Sequence, residues 1–436
     1  MKITDIADKN APYWWEHSPV KPLPQQAISH KVDVVIVGAG YAGLAAGIVL
    51  ARAGRSVAAF DAMNPGEGAS SRNGGITSGN IRPTYNTIAR RFGEDKAIAI
   101  EAEGKVAREF LQDRIRSEQL DCDFQKTGLF SGAIGYDQYE DMARSADNLA
   151  RKLRIESYAV PYTEQRHYVG SEFYRGGTVR MDIGGLHPAK FHGELLRVAL
   201  AAGVTVHSNT PVTSIEKANG SFRVTTTQGA VQTQKVLVCT NGYTNGATPF
   251  LRRRLVPVRS RMIATEELPE EIMARLMPKG MMMGEGLRMG FYYRPSPDGK
   301  RILLGGRDSS RKGDPAGPAL AMKEGLVKLF PELRDIRLTH TWFGNVAMNR
   351  DMLPRIFQQD GVLYATGFCG SGVVWAPWIG TQAAHKLLRE SDKPRSAFDF
   401  RPPAFVPLYR GDPWFIPAVI QGYRLQDYFT MRRARR

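Results

Sequence analysis

The pattern of apolar positions is strongest near the start of the chain, at residues 34–37, where four branched aliphatic residues follow one another. Such a run predicts a buried strand. Small residues and glycines come next, and the apolar stretch 44–51 predicts a helix that packs closely on its neighbours. After a turn at Gly54, the apolar run 56–60 predicts a second strand. Strand, helix and strand in this order form a βαβ unit.

The turn between the first strand and the helix has the spacing Gly38-x-Gly40-x-x-Gly43. In this context Gly38 permits a tight turn, Gly40 lets the backbone approach a pyrophosphate, and Gly43 lets the helix pack against the strand. Asp61 follows the second strand, where a carboxylate accepts a hydrogen bond from a ribose hydroxyl. The sequence therefore predicts a dinucleotide site, to which Tyr41, Ala42 and Ala62 also belong.

No other segment has this complete fingerprint. Gly284-Glu285-Gly286 and Gly370-Ser371-Gly372 lack the strand–turn–helix context that the chemistry requires. A second dinucleotide such as NAD(P)H is therefore not expected, and the bound dinucleotide is predicted to be tightly held FAD.

The rest of the pattern predicts two domains, since 436 residues are many for a single core. The predicted elements are a helix at 87–119, short strands with a helix at 137–153, a helix ending at Ala202, a hairpin from Val212, a buried strand at 235–239, long strands and a helix between 246 and 339, and a strand at 361–367 followed by a helix at 379–388. This order favours a nucleotide-binding domain of residues 28–112, 176–245 and 340–392, interrupted by a substrate domain of residues 113–175 and 246–339. Residues 1–27 are predicted to form an ordered leader and residues 393–436 a C-terminal extension.

Composition and charge narrow the function class. The net charge of +16 is spread along the chain, which is typical of a solvated surface or of the steering of anionic substrates. No aromatic–basic module is visible, so no nucleic-acid partner is expected. Cys122, Cys239 and Cys369 are far apart, which disfavours a disulfide framework, and no metal site is predicted. Without an apolar signal or a membrane-length apolar run, a cytoplasmic location is expected.

Several motifs occur together in one order: Tyr-Trp-Trp at 13–15, Gly-Ala-Ser-Ser-Arg-Asn-Gly-Gly at 68–75, Thr-Asn-Gly-Tyr at 240–243, Trp-Phe-Gly-Asn-Val-Ala-Met at 342–348, Ala-Thr-Gly-Phe at 365–368, and a tail from Trp414 to Asp427. In these motifs the chain resembles the FAD-dependent amine oxidoreductases of the D-amino acid oxidase, glycine oxidase and sarcosine oxidase family. It is most similar to the γ-glutamylputrescine oxidase-like branch. The resemblance covers nearly the whole chain. It implies an α/β fold with a Rossmann-type FAD-binding domain (GR2-like) and an interleaved antiparallel-sheet substrate domain.

The resemblance also implies which residues hold FAD. The pyrophosphate and flavin edge would meet Ser70, Ser71 and Arg72, and the flavin ring would meet Asn73, Gly74 and Gly75. The adenine would meet Val212, and further contacts are implied for Thr240, Asn241 and Gly242. A helix N-terminus near flavin N1 is implied for Gly367, Phe368, Gly370, Ser371 and Gly372, where its dipole would stabilise reduced flavin. No cysteine stands at 344–348 and Arg72 replaces the histidine that some relatives use, so the FAD is expected to be non-covalent.

The family reaction transfers a hydride from an amine C–H bond to flavin N5, and the resulting imine hydrolyses. O2 is the expected acceptor, with H2O2 as product. For a substrate carboxylate the first candidate is Arg307 and the second is Arg82, although each is equally compatible with an ordinary ion pair. Of Tyr292 and Tyr293 only one can face the site, because neighbours on a strand point to opposite faces.

One departure from the family bears on the substrate. Val346 stands where D-amino acid and glycine oxidases have a carboxylate-binding arginine, which argues against those substrates. The predicted substrate is an anionic amine, either an N-carboxymethyl amine such as sarcosine or iminodiacetate, or γ-glutamylputrescine.

Two other function classes stay open at this stage. A quinone-linked dehydrogenase would dock on a membrane surface through residues 414–416 and the Arg-rich end, although packing of this segment on the protein body is the simpler interpretation. A nucleic-acid-modifying flavoprotein rests on charge alone.

Overall fold

The computed structural model of the chain describes residues 6–308, 316–389 and 395–434. Within these residues the strands form two sheets. The eight-stranded sheet contains β2 (Lys31–Val37), β3 (Val57–Phe60), β7 (Thr205–His207), β8 (Val212–Ala218), β9 (Ser221–Thr226), β10 (Gly229–Val238), β16 (Arg355–Gln359) and β17 (Val362–Thr366). The nine-stranded sheet contains β1 (Ala7–Lys9), β4 (Leu129–Gly132), β5 (Ser157–Val160), β6 (Gly177–Arg180), β11 (Val256–Thr265), β12 (Met282–Glu285), β13 (Tyr292–Pro295), β14 (Ile302–Arg307) and β15 (Leu338–Met348).

The helices of the described residues are α1 (Trp14–His17), α2 (Tyr41–Arg52), α3 (Tyr85–Phe92), α4 (Glu94–Ser117), α5 (Tyr136–Leu153), α6 (Pro188–Ala201), α7 (Pro249–Arg252), α8 (Glu270–Leu276), α9 (Ala316–Leu329), α10 (Gly372–Leu388) and α11 (Ile416–Ala434). Short 3₁₀ helices occupy Tyr162–His167, Asn241–Tyr243 and Pro331–Leu333.

The eight-stranded sheet is built around the predicted βαβ unit. Its strand order is β16-β17-β10-β2-β3-β7, with the β8–β9 hairpin attached to β10. From β17 to β7 the neighbours are parallel, as the crossover helices require. Helix α2 packs closely on α10. A Cβ placed on Gly380 would lie only 2.1 Å from the carbonyl oxygen of Ala42, so the two helices can approach this closely only with glycine at position 380. The Rossmann-type fold expected from the sequence is thus present.

The nine-stranded sheet has the order β1-β15-β11-β14-β13-β12-β4-β6-β5. Its pairings are antiparallel except at β1–β15 and β12–β4, in agreement with the expected antiparallel substrate sheet. Three strands lie on the other side of the predicted domain boundaries, since β6 and β15 had been placed in the nucleotide-binding domain and β1 in the leader. All three form hydrogen bonds within the nine-stranded sheet, which corrects those boundaries.

Two predicted helices also need correction. The single helix expected at 87–119 is two helices, because Gly93 has a φ of 90° and breaks the chain direction between α3 and α4. Helix α10 begins at Gly372 rather than at 379 and contains Pro377. Proline is unfavourable inside a helix, but the buried contacts of α10 maintain the helix through it.

Candidate active site

A cavity of about 670 Å³ is lined by residues of both sheets. Most of the predicted cofactor residues line it: Gly38, Gly40, Tyr41, Ala42, Asp61, Ala62, Ser70, Arg72, Asn73, Gly74, Gly75, Val212, Thr240, Asn241, Phe368, Gly370, Ser371 and Gly372. Four further predicted residues do not line the cavity but lie behind its lining: Gly43, Ser71, Gly242 and Gly367. The sequence motifs therefore meet at one place in the fold.

The glycine turn after β2 leaves space that side chains would fill. Gly38 has a φ of 100°, which favours glycine. A Cβ placed on Gly43 would lie 1.9 Å from the carbonyl oxygen of Gly38, so α2 can approach β2 only without a side chain there. A Cβ on Gly40 would lie 2.8 Å from the hydroxyl oxygen of Ser70. These residues therefore form an open backbone cradle of the kind that a dinucleotide pyrophosphate needs.

Asp61 is already engaged with the backbone of this cradle. Its carboxylate accepts a hydrogen bond from the amide of Ala39 at 2.8 Å and one from the amide of Met63 at 3.0 Å. Burial raises the pKa of Asp61, although the two amides act in the opposite direction. Each carboxylate oxygen has a second lone pair, so the predicted contact with a ribose hydroxyl is compatible with both bonds.

Three tryptophan indoles hold the loop of residues 68–75. Trp15 donates to the hydroxyl oxygen of Ser71 at 2.8 Å, Trp342 donates to the carbonyl oxygen of Arg72 at 2.8 Å, and Trp14 donates to the carbonyl oxygen of Asn73 at 2.9 Å. These bonds explain why Ser71 is completely buried and faces away from the cavity. The leader is therefore part of the site, which the sequence analysis did not predict.

The loop before α10 meets the same cavity. Gly367 and Gly370 have φ values of 78° and 104°, which suit glycine. The side-chain oxygen of Asn241 accepts a hydrogen bond from the amide of Gly367 at 2.9 Å and thereby joins two predicted cofactor segments. Gly242 packs behind them, because a Cβ there would lie 2.8 Å from the carbonyl oxygen of Asn345. The N-terminus of α10 thus faces the cavity.

One face of the nine-stranded sheet forms the opposite wall. Ser260 on β11 pairs with Arg307 on β14 and with Gly344 on β15, which places the three in one row across the sheet. Tyr292 on β13 pairs with Gly305 and donates to or accepts from Ser260, the two hydroxyl oxygens being 3.1 Å apart. A Cβ on Gly305 would lie 2.2 Å from the Tyr292 ring, so this glycine makes room for the phenol.

Tyr293 does not belong to this wall, which corrects its place among the substrate candidates. Its side chain points to the other face of the sheet, as the alternation along a strand requires. There it is completely buried in a hydrophobic core beside the nine-stranded sheet, and its hydroxyl oxygen lies 3.1 Å from that of Tyr174. Tyr292 therefore is the member of the pair that lines the cavity.

Both arginines singled out from the sequence line the cavity, and Arg288 joins them. The guanidinium of Arg307 lies over the ring of Tyr423, 5.3 Å from its centroid. Burial, together with the positive charge of Arg82, lowers the pKa of Arg307 to about 10. Arg82 donates to the carbonyl oxygen of Cys369 at 2.7 Å, and burial lowers its pKa also. Along the described ranges none of the three arginines forms an ion pair with a carboxylate.

Sequence reasoning missed the contribution of the C-terminal extension. Tyr423 on α11 lines the cavity, and Asp427 one turn later accepts hydrogen bonds from the amides of Arg288 and Met289 at 2.8 and 2.7 Å. The spacing of four residues places the two side chains on one face of the helix. The spacing of four residues was the feature of the sequence from which this shared helix face could have been predicted. By contrast, Ile416 is buried and Phe415 packs on Tyr409, so most of the segment proposed for membrane docking packs on the protein body.

The model of the family described as "FAD dependent oxidoreductase" (DAO) matches residues 33–386. The chain belongs to this family. The γ-glutamylputrescine oxidoreductase of Escherichia coli (strain K12) is 29% identical over 83% of this chain and 84% of its own length. The structure of glycine oxidase from Geobacillus kaustophilus aligns with a TM-score of 0.71 at 20% identity, covering 85% of this chain and 98% of that one. Iminodiacetate oxidase from Chelativorans sp. BNC1 aligns with a TM-score of 0.68 at 16% identity, covering 85% and 100%. At these identities the two structural likenesses concern the fold.

The protein is an FAD-dependent oxidoreductase of the DAO family, and its residues fit the cofactor. The turn at Gly38–Gly43 would hold the pyrophosphate, while the loop of residues 68–75 and the N-terminus of α10 would hold the flavin. The described part of the chain contains no cluster of three or more metal-binding side chains, and no helix in it is long and apolar enough to cross a membrane.

Proposed function

We propose that the protein oxidises an amine that carries a carboxylate, with an N-carboxymethyl amine of the iminodiacetate or sarcosine type as the first candidate. The observation that supports this is the group formed by Arg82, Arg288 and Arg307. All three line the cavity that also contains the loop of residues 68–75, and no ion pair with a carboxylate of the described chain satisfies them. A substrate carboxylate would supply the missing partner.

Each wall of the cavity has a separate task in this proposal. Arg307 or Arg82 binds the carboxylate, and their positive charge lowers the pKa of a nearby substrate ammonium, which favours the neutral amine. Tyr292, held by Ser260 and kept un-ionised because burial raises its pKa, orients the substrate by a hydrogen bond. Bound FAD supplies the hydride acceptor for the C–H bond beside nitrogen. The imine product then hydrolyses to a carbonyl compound and a shorter amine.

The charge of the cavity ranks the candidate substrates. γ-Glutamylputrescine is supported by the name of the Escherichia coli relative. It carries two ammonium groups and one carboxylate, however, and three guanidinium groups disfavour an excess of positive charge. Iminodiacetate carries two carboxylates and one ammonium group and therefore has an excess of negative charge. One structural neighbour is an iminodiacetate oxidase. Val346, which lines the cavity, lacks the charge that would bind the carboxylate of glycine or D-alanine.

Anaerobic reduction of the bound flavin tests the proposal directly. The holoenzyme is mixed with iminodiacetate, sarcosine, γ-glutamylputrescine, glycine or D-alanine, and the loss of flavin absorbance is followed. We expect the N-carboxymethyl amines to reduce the flavin fastest. Reduction by none of these amines would refute the proposed reaction, and preference for glycine or D-alanine would refute the interpretation of Val346.

O2 is the proposed acceptor, and a quinone is the alternative. Trp414 is 63% exposed, and several other large apolar side chains of the extension are exposed as well and are available to a membrane surface: Phe405, Leu408, Val419, Leu425, Tyr428 and Phe429. Stoichiometric H2O2 formation in air would support the oxidase, whereas turnover only with a quinone would support the dehydrogenase. A cytoplasmic location and the absence of a nucleic-acid partner stay predictions. Salt-sensitive RNA binding would contradict the latter.

A further inference from the structure

Helix α11 packs on the domain that contains the nine-stranded sheet, although it lies outside the segment that the family model matches. Ile416 and Ile420 are buried against Val256 and Val258 of β11. At its other end, Ala434 packs beside Gly135, where an added Cβ would lie 2.7 Å from that of the alanine. The helix therefore packs on the protein body near both of its ends.

The face of α11 toward the cavity carries Tyr423 and Asp427. Asp427 is only 6% exposed, and its two carboxylate oxygens accept the amide hydrogens of Arg288 and Met289. Because the carboxylate is occupied by the backbone, it fixes the loop between β12 and β13 without forming an ion pair with Arg288. One turn earlier, the ring of Tyr423 supports the guanidinium of Arg307 and leaves its charge in place.

The two contacts have a common result. Arg288 and Arg307 line the same cavity as Arg82, and burial together with the positive charges of Arg82 and Arg288 lowers the pKa of Arg307. One carboxylate is usually satisfied by one bidentate arginine. Asp427 acts on Arg307 electrostatically, but its oxygens are hydrogen-bonded to backbone amides, and along the described ranges none of the three arginines forms an ion pair with a carboxylate. Three such guanidinium groups therefore provide for more than one negative charge.

We propose that α11 selects dicarboxylic substrates: Tyr423 and Asp427 position Arg307 and Arg288 to bind the second carboxylate of the substrate. This inference rests on the proposed function and specifies its substrate class. Tyr423 and Asp427 are positioning residues, because they act through the two arginines. The amine and its first carboxylate lie at Arg82 and Tyr292, and the distal carboxylate lies under α11.

The test uses ligands that cannot be oxidised. Glutarate has the shape of iminodiacetate with CH2 in place of NH, and butyrate has the same relation to sarcosine. The Kd of each for the holoenzyme is measured from the shift that it causes in flavin absorbance. We expect wild-type protein to bind glutarate at least about 10-fold more tightly than butyrate, as a second charge-assisted contact implies.

The variants separate positioning from general damage. Tyr423→Leu and Asp427→Asn are expected to raise the Kd for glutarate about 5- to 10-fold, while the Kd for butyrate stays within about 2-fold of the wild-type value. Tyr423→Phe keeps the ring and is expected to retain glutarate binding. Tyr428→Leu, an exposed position of the same helix, is the matched control. Flavin content and Tm are recorded for every variant.

Three results would overturn the inference. The wild type could bind glutarate and butyrate with equal affinity, or the variants could lose affinity for both ligands equally, or the variants could lose affinity for neither. None of these depends on turnover. The proposed reaction can therefore fail, with no amine reducing the flavin, while the dicarboxylate preference holds. It can also succeed while the preference is absent.

Discussion

The indole of Trp14 donates a hydrogen bond to the carbonyl oxygen of Asn73 at 2.9 Å, and so joins the leader to the loop expected at the flavin. Trp15 donates to the side-chain hydroxyl of Ser71, two residues earlier in that loop. The backbone of residues 71–73 is thus held from outside the cavity. The shape of the cavity therefore depends on two tryptophans that do not line it themselves.

Removal of one indole bond is expected to weaken FAD binding. Trp14→Phe keeps most of the buried ring but loses the donor, and leaves the Asn73 carbonyl without its partner. A loss of about 1 kcal/mol corresponds to an increase of about 5-fold in the Kd for FAD. The measurement is a titration of apoprotein by flavin fluorescence. Trp414→Phe, at an exposed indole, is the control, and equal affinity of wild type and Trp14→Phe would contradict the prediction.

Gly43→Ala is expected to abolish FAD retention. The new methyl would lie 1.9 Å from the Gly38 carbonyl oxygen, so α2 must move away from β2 and distort the cradle. Gly193→Ala is a matched control on α6, where nothing lies within 4 Å, and it is expected to stabilise the protein by about 0.5–1 kcal/mol. Flavin content after gel filtration and Tm distinguish the two. A flavin-replete Gly43→Ala enzyme would rule out the close packing described here.

Arg307→Met is expected to act on substrate binding. Loss of one charge-assisted contact, about 1.5–3 kcal/mol, lowers kcat/KM for a dicarboxylic amine such as iminodiacetate about 10- to 150-fold, mainly through KM. Arg307→Lys keeps the charge without the planar fork and should recover part of the loss. The exposed Arg253→Met is the control. Steady-state kinetics in which Arg307→Met retains the wild-type KM would exclude Arg307 from carboxylate binding.

Glu285 introduces a pH dependence of stability. One of its oxygens accepts the amide of Phe291, while the other is buried without a partner. Burial raises the pKa of Glu285 to about 7 from an ordinary value of 4.5. Between these values the unfolded state has already lost a proton that the folded state keeps, so this group makes the protein less stable as pH rises from 4.5 to 7.

Glu285→Gln is therefore expected to gain stability relative to wild type as pH rises through this window, by about 2–3 kcal/mol, and to keep a constant advantage above it. Urea unfolding at intervals from pH 5 to 8 measures the difference. Glu164→Gln, at an exposed position, should show no such trend. A difference that does not change with pH would show that Glu285 does not titrate in this range.

The parts of the site that the sequence predicted are those made by neighbours in the chain. The turn at Gly38–Gly43 and its flanking strand and helix lie within one short stretch, so residue type and spacing determine the local structure. The same holds for the alternation of Tyr292 and Tyr293, which correctly limits the cavity to one of them. Fold class and cofactor followed from these local signals together with the family resemblance.

What the sequence did not reveal are contacts between distant segments. Asp427 binds the amide of Arg288 across 139 positions, and Trp14 reaches Asn73 across 59. No local pattern specifies such partners, because they depend on how the sheets bring the segments together. The assignment of β15 to the wrong domain has the same origin: its apolar residues are equally suitable for either sheet, and only pairing with β11 decides.

The position of β2 has a consequence for how the protein reaches its native state. This strand precedes the glycine turn and pairs on one side with nearby β3, but on the other with β10, in register from Lys31 opposite Gln232 to Val37 opposite Val238. Until β10 has been synthesised and has paired with β2, the backbone N–H and C=O groups along one edge of β2 have no strand partner. Parallel pairing over such a separation is slow and leaves sheet edges open to aggregation. We therefore expect the cofactor site to form late in folding, because its glycine turn follows a strand that is completed only when β10 pairs with it.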